Sequence, residues 1–296
     1  MFDYKLLEAL VMVVQEGGFE RASRVLNITQ SAVSQRVRQL EERTGQVLLS
    51  RTNPPLPTSV GRVLVKHYRQ VRLLEDGLFE DQSGEMGSPF TSLALGVNAD
   101  SLATWFSEAT RNFLLEEKVV FDLRVEDQEE THRLLKNGDV VGCISTSDTV
   151  MQGCRLDYLG CMVYRLLASP GFAARWFPQG VNREALEQAP GILFNRRDRL
   201  NESFFQALWG KEDLAGPSFF VPSSESFVDF IVAGLAYGLV PDQQSGVLLK
   251  KGALVELIPG QQLRVPLFWH CWSLESELLV KLSRCLVQAA TQTLSR

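Results

Sequence analysis

Apolar positions divide this chain into two regimes. From Tyr4 to Leu78 they recur at intervals of three and four residues, whereas from Phe90 onward they come as short runs alternating with helical stretches. The contrast predicts a small all-α module followed by a larger α/β one. In the first module, Tyr4 to Glu16 sets Leu6, Leu7, Leu10, Val13 and Val14 on one side and ends at Gly17-Gly18. A second short helix follows, with Ala22 and Val25-Leu26 as its small and apolar contacts. After a tight turn, Val33, Val37 and Leu40 fall at i, i+4 and i+7 and share an inward face, with Thr29 placed to cap the helix they mark.

A further long helix begins at Thr58. Its Val60, Leu64, His67, Val71, Leu74 and Leu78 are spaced alternately by four and three, a heptad seam in which His67 is the polar member. The narrow stripe suits pairing with a second copy better than packing within one chain. Ser83–Pro89, SGEMGSP, then reads as a flexible hinge. Beyond it, strands are predicted at Leu93–Val97, Val119–Val125, Val140–Thr146, Tyr158–Ala168, Ile192–Phe194, Phe219–Val221, Leu239–Val240, Val255–Ile258 and Leu267–Trp272. Helices fit Ser101–Leu115, Glu129–Asn137, Gly171–Phe177, Arg183–Gln188, Glu202–Leu208, Glu225–Ala233 and Glu275–Thr293. This alternation implies α/β units around parallel strands.

The helix after Thr29 carries the clearest chemistry. Its outward arc holds Ser31, Ser34, Gln35 and Arg38, with Gln30 and Arg36 at the edges, while Glu41 and Glu42 are kept to the far end. Short hydroxyls, an amide and guanidiniums are suited to base edges and phosphates in a major groove, so the pair of helices reads as a helix-turn-helix. An ordinary amphipathic surface helix would mix in more Glu and Lys. The following segment, VLLSRTNPPLPT, is too short and too proline-broken for a helix. It reads as a small wing with Arg51 free to reach a phosphate or the minor groove, or as a rigid connector.

These residues resemble the LysR-type transcriptional regulators, on FERAS at Phe19–Ser23 and ITQSAVSQRV at Ile28–Val37. VNADSLATW at Val97–Trp105 and the Trp269-His270 pair, together with VED, GDVVG, FPQGV and SSESFV, are similar to the lysine/arginine-responsive, chromosome-initiation-inhibitor-like subgroup. The resemblance covers the whole chain. It implies a winged helix-turn-helix over 1–58, a dimerisation helix over 59–82, the hinge at 83–89 and an effector-binding domain over 90–296. That domain would be two-lobed and similar to periplasmic binding proteins, with one lobe of about 90–168 plus 265–296 and the other of about 169–264. The implied partners are promoter DNA, RNA polymerase and further copies of the chain in a dimer of dimers. The implied effector is L-lysine or L-arginine, lying in the cleft between the lobes.

Charge agrees with that division. The chain has a formal net charge of −5, yet Met1–Arg72 holds 11 Lys/Arg against 6 Asp/Glu, leaving an acidic remainder. A basic module on an acidic body is the pattern expected when one domain touches DNA. Five cysteines, Cys143, Cys154, Cys161, Cys271 and Cys285, include no CxxC pair and read as reduced cytoplasmic thiols. Three scattered histidines suggest no metal site, and no GxSxG, P-loop or dinucleotide motif supports an enzyme. No apolar run approaches a membrane span, and no cofactor is expected.

Ligands of α/β sheets sit outside the carboxyl ends of strands, where helices begin. Three such turns stand out: Val97–Ser101, with Asn98, Asp100 and Ser101; Ile144–Thr146, with Ser145 and Thr146; and Pro222–Ser226, with Ser223, Ser224 and Glu225. Hydroxyls and helix-start N–H groups suit a carboxylate, and Asp100 suits an ammonium, so together they can grip a zwitterion. Asp100, Ser101 and Ser224 can equally be plain helix caps. Glu126 and Asp127, just past a strand end, are candidates for a cationic side chain or for the surface. A DNA-architectural or replication-origin factor is the alternative from another class.

Overall fold

The computed structural model describes residues 2–80, 90–126, 130–210 and 216–296. The predicted hinge at 83–89 and Asp127 lie outside the described residues.

Four helices open the chain. They are α1 (Tyr4–Glu16), α2 (Phe19–Val25), α3 (Gln30–Thr44) and α4 (Ser59–Glu80). Asp3 caps α1 by accepting from Lys5 N at 3.0 Å, and Thr29 caps α3 by accepting from Ala32 N at 3.2 Å. The apolar periodicity becomes a core of Leu7, Leu10, Ala22, Val33, Val37, Leu40 and Leu48. Val25 stands apart from it, 53% exposed, because α2 ends there and only Leu26 turns inward. Between α3 and α4 the wing closes through an antiparallel bridge, Leu49 to Pro57, with Ser50 N donating to Leu56 O at 2.7 Å. Glu41 accepts from Leu48 N at 2.8 Å and ties α3 to the wing.

The heptad reading of α4 needs correction. Leu64, Val65 and Tyr68 are buried in the core of the first module, so the inward stripe is broader than the seam alone. Leu64 is 7% exposed while its neighbour Val63 is 66% exposed. His67 turns to α1, its Nε2 lying 3.2 Å from the Tyr4 hydroxyl. What faces outward is Val63, half-buried Val71 and Leu74. At the start of α4 a methyl on Gly61 would stand 2.2 Å from the Leu48 carbonyl oxygen, so that close approach requires glycine.

The larger module runs β1 (Thr91–Asn98), a helical turn α5 (Ala99–Ser101), a π-helical stretch Leu102–Phe106 and α6 (Ser107–Glu116). Next come β2 (Val119–Glu126), α7 (Glu130–Asn137), β3 (Gly142–Ser145), β4 (Cys154–Ala168), α8 (Pro170–Trp176) and α9 (Arg183–Gln188). The chain continues through β5 (Gly191–Leu193), α10 (Leu200–Trp209), β6 (Ser218–Phe220), α11 (Ser224–Val232), β7 (Gly238–Pro241) and α12 (Asp242–Lys250). It closes with β8 (Val255–Glu256), β9 (Leu263–Trp272) and α13 (Glu277–Thr293). Helix α12 is absent from the sequence reading because DQQSGVLLK has weak apolar periodicity and an internal glycine.

Among the described residues the main sheet is seven-stranded and mixed, in the order β2-β1-β3-β9-β4-β7 with β8 on β4. β1 pairs in parallel with β2 and β3, whereas β3–β9, β4–β9, β4–β7 and β4–β8 are antiparallel. Parallel strands, expected from the alternation, are found on one flank and in the small sheet β5–β6, and the other pairings are antiparallel. The long strands β4 and β9 run side by side between the two lobes, with a register shift at Tyr158/Gly160. Early β4 belongs with the first lobe. Its later residues, Tyr164–Leu167, pair with β7 of the second. Trp269 and Trp272 on β9 and Tyr164 on β4 are among the largest fully buried side chains, so the crossing strands are packed firmly.

Candidate functional site

Two concave surfaces collect the predicted residues. The first lies between α2, α3 and the wing, ≈ 670 Å³ in volume, and brings together Gln30, Ser34, Arg38 and Arg51. Ser31 and Gln35 are exposed on the adjoining arc of α3, and Arg36 is half-buried at its edge. Arg21 also faces this concavity, held by Nη2 donating to Gly17 O at 3.1 Å. Sequence reasoning missed it, although an arginine in the first turn after Gly17-Gly18 was visible.

The second is a cavity of ≈ 360 Å³ between the lobes. Asn98, Asp100, Glu126, Thr146 and Ser224 line it, so the turns after β1, β2 and β3 meet the start of α11 as the strand-end rule expects. Asp100 is at its centre of bonding. Its Oδ1 accepts from the Ser224 hydroxyl at 2.6 Å and its Oδ2 from the Tyr164 hydroxyl at 2.7 Å. Burial raises its pKa most, the two hydroxyl donors pull it down, and the charge of Glu225 raises it further. The net shift favours the neutral carboxyl, and a cation placed beside it would favour the carboxylate.

Capping is settled at these turns. α5 has Asn98 at its N-cap with no side-chain cap bond, so neither Asp100 nor Ser101 caps it. Ser223, not Ser224, caps α11 by accepting from Ser226 N at 3.3 Å, which leaves the Ser224 hydroxyl for Asp100. Ser101 and Ser145 are buried but do not line the cavity, and Glu225 is exposed outside it. Asn98 is 2% exposed, and neither its amide nitrogen nor its oxygen has a hydrogen-bond partner. Such a group at a cavity wall is matched to a ligand with both donors and acceptors.

The second lobe adds residues that the sequence reading did not name. Arg197 and Arg199 line the cavity from the segment between β5 and α10, Asn201 and Ser203 from the first turn of α10, and Gln244 from α12. Within that segment Asp198 is engaged by the main chain, accepting from Phe194 N at 2.9 Å and Leu200 N at 3.0 Å. The turn carrying Thr146 is braced from behind, because Nε2 of His270 lies 2.7 Å from Ser147 O. Burial first, and the neighbouring His132 after it, lower the His270 pKa, although its bond to Ser147 opposes them. The cavity thus sets guanidiniums on one lobe against a half-buried carboxyl group on the other, a layout suited to a small molecule with both charges.

The residues 4–62 match the family model described as bacterial regulatory helix-turn-helix protein, lysR family, and 87–294 match the LysR substrate binding domain. The chain belongs to the LysR family. This family member is a DNA-binding transcriptional regulator, and it is similar throughout to the HTH-type transcriptional regulator ArgP of Pseudomonas aeruginosa strain UCBPP-PA14. The two are 46% identical over 302 residues, covering 100% of this chain and 98% of the relative. Among solved structures it is similar to ArgP from Mycobacterium tuberculosis, with a TM-score of 0.88 and 34% identity, covering 100% of this chain and 99% of that one. Full-length LysG from Corynebacterium glutamicum with bound effector Arg gives a TM-score of 0.79 at 33% identity, covering 100% of both chains.

Nothing in the described residues groups three or more His, Cys, Asp or Glu to hold a metal ion. Likewise no described helix is long and apolar enough to cross a membrane. All five cysteines are free thiols, two buried and three half-buried, and burial pushes Cys143, Cys154 and Cys285 up.

Proposed function

We propose that this LysR-family regulator senses a basic amino acid, L-arginine or L-lysine, in the cleft between its lobes and changes its grip on promoter DNA in response. The observation that carries the reading is Asp100. A half-buried carboxyl group held by hydroxyls from β4 and α11 faces a cavity sized for a small molecule. Similarity over the full chain to a regulator solved with bound effector Arg supports the choice of ligand. In this reading Asp100 and Glu126 take the cationic groups, and Asn98, Thr146, Ser224, Arg197 and Arg199 take the remaining polar ends. The division of labour follows 1–58 for DNA, 59–82 for pairing and 90–296 for the effector. Gln30, Ser31, Ser34, Gln35 and Arg38 face the major groove, and Arg21, Arg36 and Arg51 reach the backbone. Footprinting of the full chain on genomic DNA, with and without L-arginine, tests this. A discrete promoter with an inverted repeat, altered by arginine, is expected; tracking of A·T-rich shape regardless of arginine would favour an architectural factor.

Binding of a cation beside Asp100 should be linked to protons. In the free protein the raised pKa favours the neutral carboxyl, so its contribution to stability is present at acid pH and lost as pH rises through that pKa. A bound ammonium or guanidinium reverses the shift and drives a proton off. Arginine affinity should therefore fall as the solution is acidified toward that pKa, with proton release visible as calorimetric heats that depend on the buffer. A flat profile from pH 8 to the ordinary carboxylate range of about 4 would remove Asp100 from the site.

The stripe of Val63, Val71 and Leu74 is the surface assigned to a second copy of α4, since Leu64 is already used inside the chain. Val63→Asp with Leu74→Asp should split the dimer in light scattering and lower operator affinity at least tenfold, because two linked recognition helices hold one operator. Arginine binding should survive. An unchanged assembly would place the dimer contact elsewhere.

A further inference from the structure

We propose that α7 is the lever coupling the effector cleft to the DNA-binding module, with the contact between Arg69 and Gly138 as its joint. The proposal rests on the cleft reading above and adds the route by which the cleft is heard.

The amino end of α7 is tied to the cleft. Thr131, fully buried, donates its hydroxyl to Ile144 O at 2.7 Å, at the end of β3 that leads into Thr146. One residue on, the His132 ring lies edge-on to His270 with centroids 5.0 Å apart, and His270 in turn holds Ser147 O. The turn that carries Thr146 into the cavity is therefore fastened on both sides to α7 or to its immediate neighbour.

The carboxyl end of α7 is tied to α4. The Arg69 guanidinium donates through Nη1 to Gly138 O at 2.5 Å and lies 3.7 Å from Asp139 Oδ1. Gly138 has φ +77°, and a methyl there would stand 2.6 Å from Lys66 Cβ, so the two backbones are in close contact. One turn further along α4, Leu73 is buried in the core of the effector domain, while Leu64, Val65 and Tyr68 upstream are buried in the core of the DNA-binding module. Helix α4 is thus held by both cores, and α7 touches both it and the strand that leads into the cleft turn. Close-packed elements of this kind shift as units between discrete arrangements and do not deform smoothly. A displacement of the Thr146 turn by a ligand reaches Gly138 through eight residues of helix, and Arg69 passes it to the helix that carries the reading head.

Coupling between two ligands is reciprocal, so the lever can be read from either end. The test uses the full chain, an operator fragment found by footprinting, and L-arginine as probe. Arg69→Gln removes the donor to Gly138, and Gly138→Ala independently forces the joint apart. In the parent, arginine changes operator affinity or footprint. In each variant that change should shrink to within twofold of none, while calorimetry shows arginine affinity of the free protein within threefold of the parent and operator affinity without arginine similarly kept. Two variants that respond to arginine as fully as the parent would overturn the lever and leave the cleft reading standing. Variants that no longer bind arginine would overturn it too, since the joint would then be part of the site. A parent indifferent to arginine would overturn both readings.

Discussion

Asp100→Asn should lower affinity for L-arginine and L-lysine about tenfold or more, which corresponds to ~1.4 kcal/mol per decade. The substitution keeps the shape and one of the two oxygens that accept from Ser224 and Tyr164, puts an amide donor in place of the other, and removes the charge. Charge-assisted hydrogen bonds are roughly twice as strong as neutral ones, so the loss falls on a cationic partner. Stability of the free protein should hold or rise, because burial already disfavours the charged carboxylate. Operator binding without effector should persist, since Asp100 lies in a different module from α3. Calorimetry on the full chain, paired with thermal unfolding, separates these effects. Equal affinity of parent and variant for both amino acids would leave Asp100 as an interlobe bond and nothing more.

The second large effect belongs to α3. Gln35→Ala and Arg38→Ala each delete an exposed side chain on the arc opposite Val33, Val37 and Leu40, so the fold should be untouched. A lost bidentate base contact costs about 1–3 kcal/mol of discrimination, and gel-shift titrations should show roughly that loss on the operator with little change on random DNA. Equal weakening on both would assign these side chains to phosphates, with a shallower dependence on salt as the accompanying sign.

The first module was almost wholly legible because its information is local. Thr29, Gly17 and the i, i+4, i+7 triplet of α3 mark ends and faces without reference to distant residues. Its misreading was also local: the heptad of α4 is real in spacing, but Leu64 is claimed by the core of its own chain, and only Val65 and Tyr68, outside the heptad, could have announced that. In the larger module the strand-end rule placed Asn98, Asp100, Glu126, Thr146 and Ser224 at one cavity, although they are far apart in sequence. The same rule, applied at the end of β5, would have reached Arg197, Arg199, Asn201 and Ser203. The cluster NRRDRLN at Asn195–Asn201 falls between the predicted strand Ile192–Phe194 and the predicted helix Glu202–Leu208, outside the three turns singled out for their hydroxyls. Tyr164 was beyond reach: mid-strand on β4, it shows nothing in sequence that sends its hydroxyl to Asp100. The antiparallel crossing of β4 and β9 likewise depends on long-range register, which alternation of strands and helices does not encode.

The most direct measurement titrates the full chain in a calorimeter with L-arginine, L-lysine, L-citrulline and L-glutamate under one condition. Citrulline keeps the length and hydrogen-bonding end of arginine without its charge. A cleft organised around Asp100 predicts binding of arginine or lysine at least tenfold tighter than citrulline, with glutamate weakest because its second carboxylate meets Asp100 and Glu126. Citrulline or glutamate binding as tightly as the basic amino acids would contradict the account.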